Sequence, residues 1–432
     1  MPKNRFRERL WWLGSRRSSV FKDESQQGVI AIPLNEALDS ITGVDPTEDL
    51  IALAEINSGS SNLSGLQQAA GWLIENMQLG VAAERVSLPS VQLLDDSGQL
   101  VEQQTGDALV WHCRPEAKRR VLLAIHYDTV FASNHPFQSC RRLETNRWTG
   151  PGMADAKGGI LVIRSALQAL ERFNLAEEIG WSVVLNPDEE IGSLHSTPLL
   201  NDLASQYDFG LLFEPSLPTG ELVGSRGGSG NYVIAIRGQS AHVGRHFEEG
   251  KNAVAKLSGL MYELDKLNQH QGLIVNIGFV TGGGPLNVVP DFALGRFNVR
   301  VPGTEQQTLF ETRYAELCRG ANAAGYELTI DGGITSPAKP ETPAIDVLKR
   351  EVGFAFEATG NGRPTWIRTG GVCDGNKLAA AGLPNIDSLG PVGGELHSDR
   401  EWVDTASINQ RAKSVVTLLH RYSQREFTVT DA

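Results

Sequence analysis

Val121-Leu122-Leu123-Ala124-Ile125-His126-Tyr127-Asp128 is the stretch on which the fold turns. The apolar run reads as a buried strand, and it ends in a His and an Asp two positions apart, so both side chains leave on one face. Open α/β sheets place their ligands at such carboxyl ends. Outward from this stretch, further apolar runs at 108–112, 181–185 and 209–213 are separated by helical patterns such as that at 160–172. Two earlier helices are expected, one after Thr47-Glu48-Asp49 and one over 63–77. Strands alternating with helices predict an α/β fold with a central sheet flanked by helices. Near residue 220 the character changes: Gly224, Gly227, Gly228 and Gly230 precede an alternating run at 232–237, then come helical patterns at 252–267 and 305–324 with strands between and after them. This is the order of a split βαβ, ferredoxin-like α+β unit. Pro337, Pro340 and Pro343 mark the return to helix and strand alternation. The expected organisation is an N-terminal extension (1–45), one α/β domain formed by 46–224 and 336–432, and an inserted domain (225–335).

The 432 residues carry 39 Lys and Arg against 51 Asp and Glu, a net charge of −12, which argues against nucleic acid as a partner. With 41% hydrophobic and 21% charged residues the chain can build a large core. Cys113, Cys140, Cys318 and Cys373 lie far apart with no CxxC pair, which argues against a disulfide framework or a thiolate zinc site. Arg16-Arg17 could be taken for an export signal, but no apolar core follows, and the segment reads as a basic amphipathic extension. No apolar run approaches the length needed to span a bilayer. The expectation is a cytoplasmic protein without membrane association.

The chemistry is carried by polar groups that follow strand ends or glycine turns. His126 ends the first strand quoted, with Asp128 close enough to accept its second ring proton. Asp155 sits within Gly150-Pro151-Gly152-Met153-Ala154-Asp155-Ala156-Lys157-Gly158-Gly159, where glycines let the backbone approach closely. Asp188-Glu189-Glu190 end the 181–185 strand, Glu214 ends the 209–213 strand, and His397 lies on a late loop. Taken singly, these have bland readings: a satisfied structural His, a helix-capping Asp, an exposed acidic loop. Together His126, Asp155, Glu190, Glu214 and His397 suffice for two divalent ions if Asp155 bridges them, a set suited to Zn2+, with Co2+ or Mn2+ as alternatives. Two such ions can polarise a carbonyl and activate water, leaving Glu189 as general base. The implied reaction is amide hydrolysis.

His126-Tyr127-Asp128, Asp155-Ala156-Lys157-Gly158-Gly159, Glu189-Glu190, Glu214-Pro215 and His397-Ser398-Asp399 resemble, in order, the motifs of the M20 metallopeptidases, which include glutamate carboxypeptidases, acetylornithine deacetylase, succinyl-diaminopimelate desuccinylase and aminoacylases. The resemblance runs over roughly residues 46 to 425 and implies a zinc-peptidase-like catalytic domain with a central mixed sheet flanked by helices. It implies His126 and Glu214 on one Zn2+, Glu190 and His397 on the other, Asp155 bridging, Glu189 as base, Asp128 orienting His126, and a cis peptide at Asp155-Ala156. The inserted domain resembles the family's lid and dimerisation domain. Its Gly238-Gln239-Ser240-Ala241-His242-Val243-Gly244 matches a loop whose His serves the partner's site in a homodimer, which implies that His242 stabilises an oxyanion. Asn287 and Arg300 fit the lid pattern, with Arg300 suited to a substrate carboxylate. Gly371, in the late glycine turn 368–374, resembles most the glutamate carboxypeptidase branch.

Two stretches depart from that branch. Neither 217–222 nor 334–338 supplies the basic residues expected around a glutamate side chain, which leaves Lys339, Arg226 or Arg245 as substitutes. The implied substrate is a small peptide or an N-acyl amino acid. Alternatives are a deacylase of the acetylornithine or aminoacylase type, an M28-type aminopeptidase, a Cys373 thiol enzyme, and a non-catalytic scaffold.

Overall fold

The computed structural model describes residues 24–429; the basic segment 1–22 lies outside the described residues. Six strands form the central sheet in the order Ala83–Val86, Ala108–Cys113, Gly180–Asn186, Arg120–His126, Phe209–Leu212, Asn385–Ile386. The first two pairings are antiparallel and the last three parallel, so the sheet is mixed, as expected. Its central strands read as continuous apolar runs because both faces are covered. Val121, Leu123 and Ile125 pack toward the helices Gly158–Arg172 and Thr405–Ser423. Leu122 and Ala124 face the opposite side, where Leu200, Leu203 and Leu378 meet them from the helices Thr197–Ala204 and Asp374–Ala380. Period-two alternation thus sorts one strand between two cores.

The helix Glu24–Thr42 packs on Gly158–Arg172 and Thr405–Ser423, with Ala37 and Ile41 buried. The segment set apart as an N-terminal extension therefore has its last part inside the main core. Among the described residues no helix is long and apolar enough to cross a membrane.

The chain enters the inserted unit after Arg226 and returns from it at Lys339, and these residues are joined by reciprocal backbone hydrogen bonds of 3.1 and 3.0 Å. Between them lies a four-stranded antiparallel sheet in the order Ile274–Gly282, Phe292–Val301, Gly228–Arg237, Glu327–Ser336. The helices Ala253–Asp265 and Thr304–Ala323 complete the strand-helix-strand-strand-helix-strand order read from the sequence. Its core centres on Tyr232, stacked on Phe297 with centroids 5.1 Å apart. Gly228 and Gly230 belong to its first strand instead of preceding it. A Cβ at Gly230 would stand 2.3 Å from the Gly333 carbonyl oxygen, so glycine is what permits that pairing.

A hairpin, Val91–Leu94 with Leu100–Gln103, reaches from the main unit to this inserted sheet. The Leu94 N–H donates to Asp331 (3.1 Å), and Arg296 donates to the Leu94 carbonyl (3.0 Å) and pairs with Asp96 (2.9 Å).

Candidate metal centre

His126 closes its strand in register with Asn186, so the 187–190 turn begins beside it. Asp128 joins the two. Its carboxylate lies 3.3 Å from His126 Nδ1, accepts the Ser60 hydroxyl at 2.6 Å, and accepts the Glu189 and Glu190 backbone N–H groups at 3.1 and 3.2 Å. One buried carboxylate thus fixes an imidazole and the paired glutamates together.

Asp155 sits between the two predicted imidazoles. Its Oδ1 is 3.2 Å from His126 Nε2 and its Oδ2 is 3.3 Å from His397 Nε2. Glu214 Oε2 approaches His126 at 3.7 Å, and Glu190 Oε2 approaches His397 at 3.2 Å. Each imidazole therefore has a carboxylate of its own and shares Asp155. The Asp155-Ala156 peptide is cis. His397 has φ +59° and Glu395 φ +53°, the left-handed region that non-glycine residues avoid and that functional loops tolerate.

The charges reflect this crowding. Hydrogen bonds to Asp155 and Glu190 push His397 up to about 11. Burial alone would lower His126, but the Glu214 charge and its bonds to Asp128 and Asp155 raise it well above the usual imidazole range. Burial, with Asp155 nearby, pushes Glu190 up to about 7, and burial raises Glu189 too. Carboxylates and imidazoles packed this closely are a donor set for divalent cations, and His126, Asp155 and Glu190 each offer an atom within 4.8 Å of the others. The residues fit the predicted metals.

Three supports were not read from the sequence. Glu401, 1% exposed, accepts backbone N–H groups of Gly152, Ala154 and Asp155 at 3.2, 2.9 and 3.1 Å and so holds the Asp155 turn. Ser60 braces Asp128 from another element. Gly390 lets its segment lie against Glu214, since a Cβ there would stand 2.2 Å from the Phe213 carbonyl oxygen. No local pattern marks Glu401 or Ser60.

A cavity of about 380 Å³ opens on Asp155, Glu189, Glu190, Glu214 and His397, and Gly371 also lines it. His242, Asn287 and Arg300 do not. His242 is exposed on the inserted unit, where its Nδ1 accepts the Gly244 N–H, and the Asn287 carbonyl accepts the neighbouring Val243 N–H at 3.0 Å. Arg300, which could have paired with an acidic residue on its own sheet, instead donates to Asn298 Oδ1 at 2.9 Å and reaches the Gly370 carbonyl at 3.5 Å. Lys339 is fully buried and 2.7 Å from Asp387, which also takes the Arg226 guanidinium at 3.1 and 2.9 Å. Lys339 is therefore unavailable to a substrate. Cys373 is buried, with its thiol pushed up chiefly by burial, which argues against a thiolate nucleophile.

Imidazoles and carboxylates gathered at the carboxyl ends of a mixed α/β sheet define a metal-dependent hydrolase. The sequence matches the model described as Peptidase family M20/M25/M40 over residues 122–421, and the chain belongs to that family of amide-bond hydrolases. It is 28% identical over 375 residues to Carboxypeptidase G2 of Pseudomonas sp. (strain RS-16), covering 85% of this chain and 86% of that protein. It is 26% identical over 363 residues to the succinyl-diaminopimelate desuccinylase of Magnetococcus marinus, covering 77% and 91%. The fold is shared with an M20 family metallo-carboxypeptidase from Sulfolobus solfataricus (TM-score 0.68, 16% identity, 88% of this chain and 100% of that one). It is also shared with a dinuclear metal-binding M20 peptidase of Bacillus subtilis (TM-score 0.58, 15% identity, 90% and 99%).

Proposed function

We propose that this enzyme binds two Zn2+ ions per chain and releases the C-terminal amino acid from a small peptide or N-acyl amino acid. The observation that carries this is Asp155, placed one oxygen to each imidazole, with Glu189 on the same cavity. His126 and Glu214 would hold one ion and Glu190 and His397 the other, with Asp155 shared between them. Bound there, such ions would supply Lewis acidity toward the scissile carbonyl and lower the pKa of a water so that it is more readily deprotonated.

The chain's own residues do the rest. Glu189 takes a proton from the attacking water and returns it to the departing amine nitrogen. Asp128 keeps His126 in one tautomer and ties the Glu189 turn to it. Arg300 has no carboxylate partner among the described residues, and burial lowers its pKa, so a substrate carboxylate suits it. Asn287 shapes the His242 loop, and Gly371 gives the cavity wall a backbone surface.

Residues 225–335 serve as lid and dimerisation domain, and the protein works as a homodimer in the cytoplasm. Ile274–Gly282 is an edge strand with Ile274 and Val280 exposed, a surface suited to pairing with a second copy. His242, exposed and outside its own chain's cavity, then reaches the partner's site and donates to the oxyanion. The four cysteines are unpaired, as suits a reducing compartment.

The deciding experiment is metal stoichiometry and hydrolysis of N-acyl amino acids before and after chelation, repeated with Glu189→Gln. Two zinc ions per chain in both proteins, with activity lost on chelation and regained with Zn2+ only in the wild type, is the expected result. A zinc-reloaded Glu189→Gln of normal activity would exclude Glu189 as the base.

A further inference from the structure

We infer that the cavity beside the metal centre is built for an apolar side chain on the released amino acid, and that it disfavours glutamate and aspartate. This deepens the function proposed above and rests on its placing of the substrate carboxylate at Arg300.

Arg300 reaches the carbonyl of Gly370, the neighbour of Gly371 on the cavity wall. A carboxylate held by Arg300 therefore directs the side chain of the same amino acid along the Gly371–Val372 wall. The same lining includes Leu217, Pro218, Val223 and, beside His397, Leu396. Their surfaces gain by losing water to an apolar side chain.

An acidic side chain meets the opposite conditions. Arg226 is the one Arg or Lys among the cavity-lining residues, and all three guanidinium nitrogens are engaged: Nε and Nη2 with Asp387, Nη1 with the Gly371 carbonyl at 3.1 Å. Glu395 lines the same cavity, held by Arg400 at 2.5 Å, and Glu190 and Glu214 stand at its inner end. A substrate carboxylate there would lose its water without gaining a free cation.

Binding and turnover are read separately. Zinc-loaded Glu189→Gln is titrated calorimetrically with N-benzoyl-Leu, N-benzoyl-Phe, N-benzoyl-Glu and N-benzoyl-Asp, and the wild type is assayed for hydrolysis of the same compounds. The expected result is affinity for Leu or Phe at least about tenfold above that for Glu or Asp, of the size that apolar pocket contacts give. Leu217→Lys, and independently Leu396→Lys, should reduce that ratio, by supplying the missing cation. Equal affinities or a preference for Glu overturns the inference, whether or not turnover occurs. Apolar preference in binding with no hydrolysis by the wild type would uphold the subsite and sink the proposed reaction instead.

Discussion

Asp128 and Asp387 are both fully buried carboxylates, and they do different work. Asp128 distributes its oxygens among Ser60, the Glu189–Glu190 backbone and His126. Asp128→Asn should keep the shape but weaken the hold on the imidazole, lowering metal affinity by roughly 10- to 100-fold, as loss of such partners does elsewhere; competition with a chromogenic chelator measures it. Asp387 lies between Arg226 and Lys339. Burial alone would raise its pKa, but the two cations hold it below its ordinary value of 3.8. A depressed carboxylate contributes stability above its unfolded value and loses it as pH falls through that value toward the folded one. Asp387→Asn should therefore destabilise the protein by about 3–5 kcal/mol at neutral pH, since two buried cations lose their partner. Its stability should also fall less steeply than the wild type's below about pH 4, and guanidinium unfolding across that range reads both effects. His126, Asp155 and Glu190 were expected from motifs at a strand end or a glycine turn, and the structure places them within 4.8 Å of one another. Glu401 was not, because it meets the Asp155 turn from the far end of the chain, and nothing in its neighbours announces three backbone donors.

At the scale of elements, the helices given a range from the sequence lie within two residues of it. The helix expected over 63–77 is Leu63–Met77, and that expected over 305–324 is Thr304–Ala323. Strand ends were harder where glycine intervened, as at Gly228 and Gly230, because close backbone packing and loop flexibility have the same local signature. The helix Glu24–Thr42 escaped as part of the core because its partners are distant in sequence. Ile41, 4% exposed, lies among them. Ile41→Ala should lower stability by about 2 kcal/mol, the lower end of the cost for such truncations. A helix merely resting on the surface would give a change within about 0.5 kcal/mol in the same denaturant titration. The hairpin at 91–103 went unread for want of long apolar runs. Arg296→Ala removes its ion pair with Asp96 and its bond to Leu94, so protease cleavage near 95–98 should become faster while the metal content stays the same.

The whole molecule joins two units, and the proposed reaction needs both. If His242 serves the partner's centre, a mixture of His242→Ala and Glu189→Gln chains regains activity that neither variant has alone. One hybrid site then carries an intact Glu189 with an intact His242. Measured after co-refolding, random pairing puts half the dimers in the hybrid state with one competent site, so recovery approaches about a quarter of wild-type activity. No recovery would separate His242 from the shared site. A site shared between two copies is legible in one sequence only through motif, since an exposed His on a surface loop has no physical signature of what it will meet.

The paired backbone hydrogen bonds between Arg226 and Lys339 make a narrow doorway, through which the whole inserted unit passes out and back. The two ends of the insertion are already held side by side by the catalytic unit. A loop of about a hundred residues costs about 3 kcal/mol more in closure entropy than a four-residue turn across the same gap. Cutting the insertion out at this doorway and closing it with a short turn is thus favoured by chain entropy. The unit can be regarded as a detachable cassette, and the seam at Arg226 and Lys339 is a place to graft a different insertion.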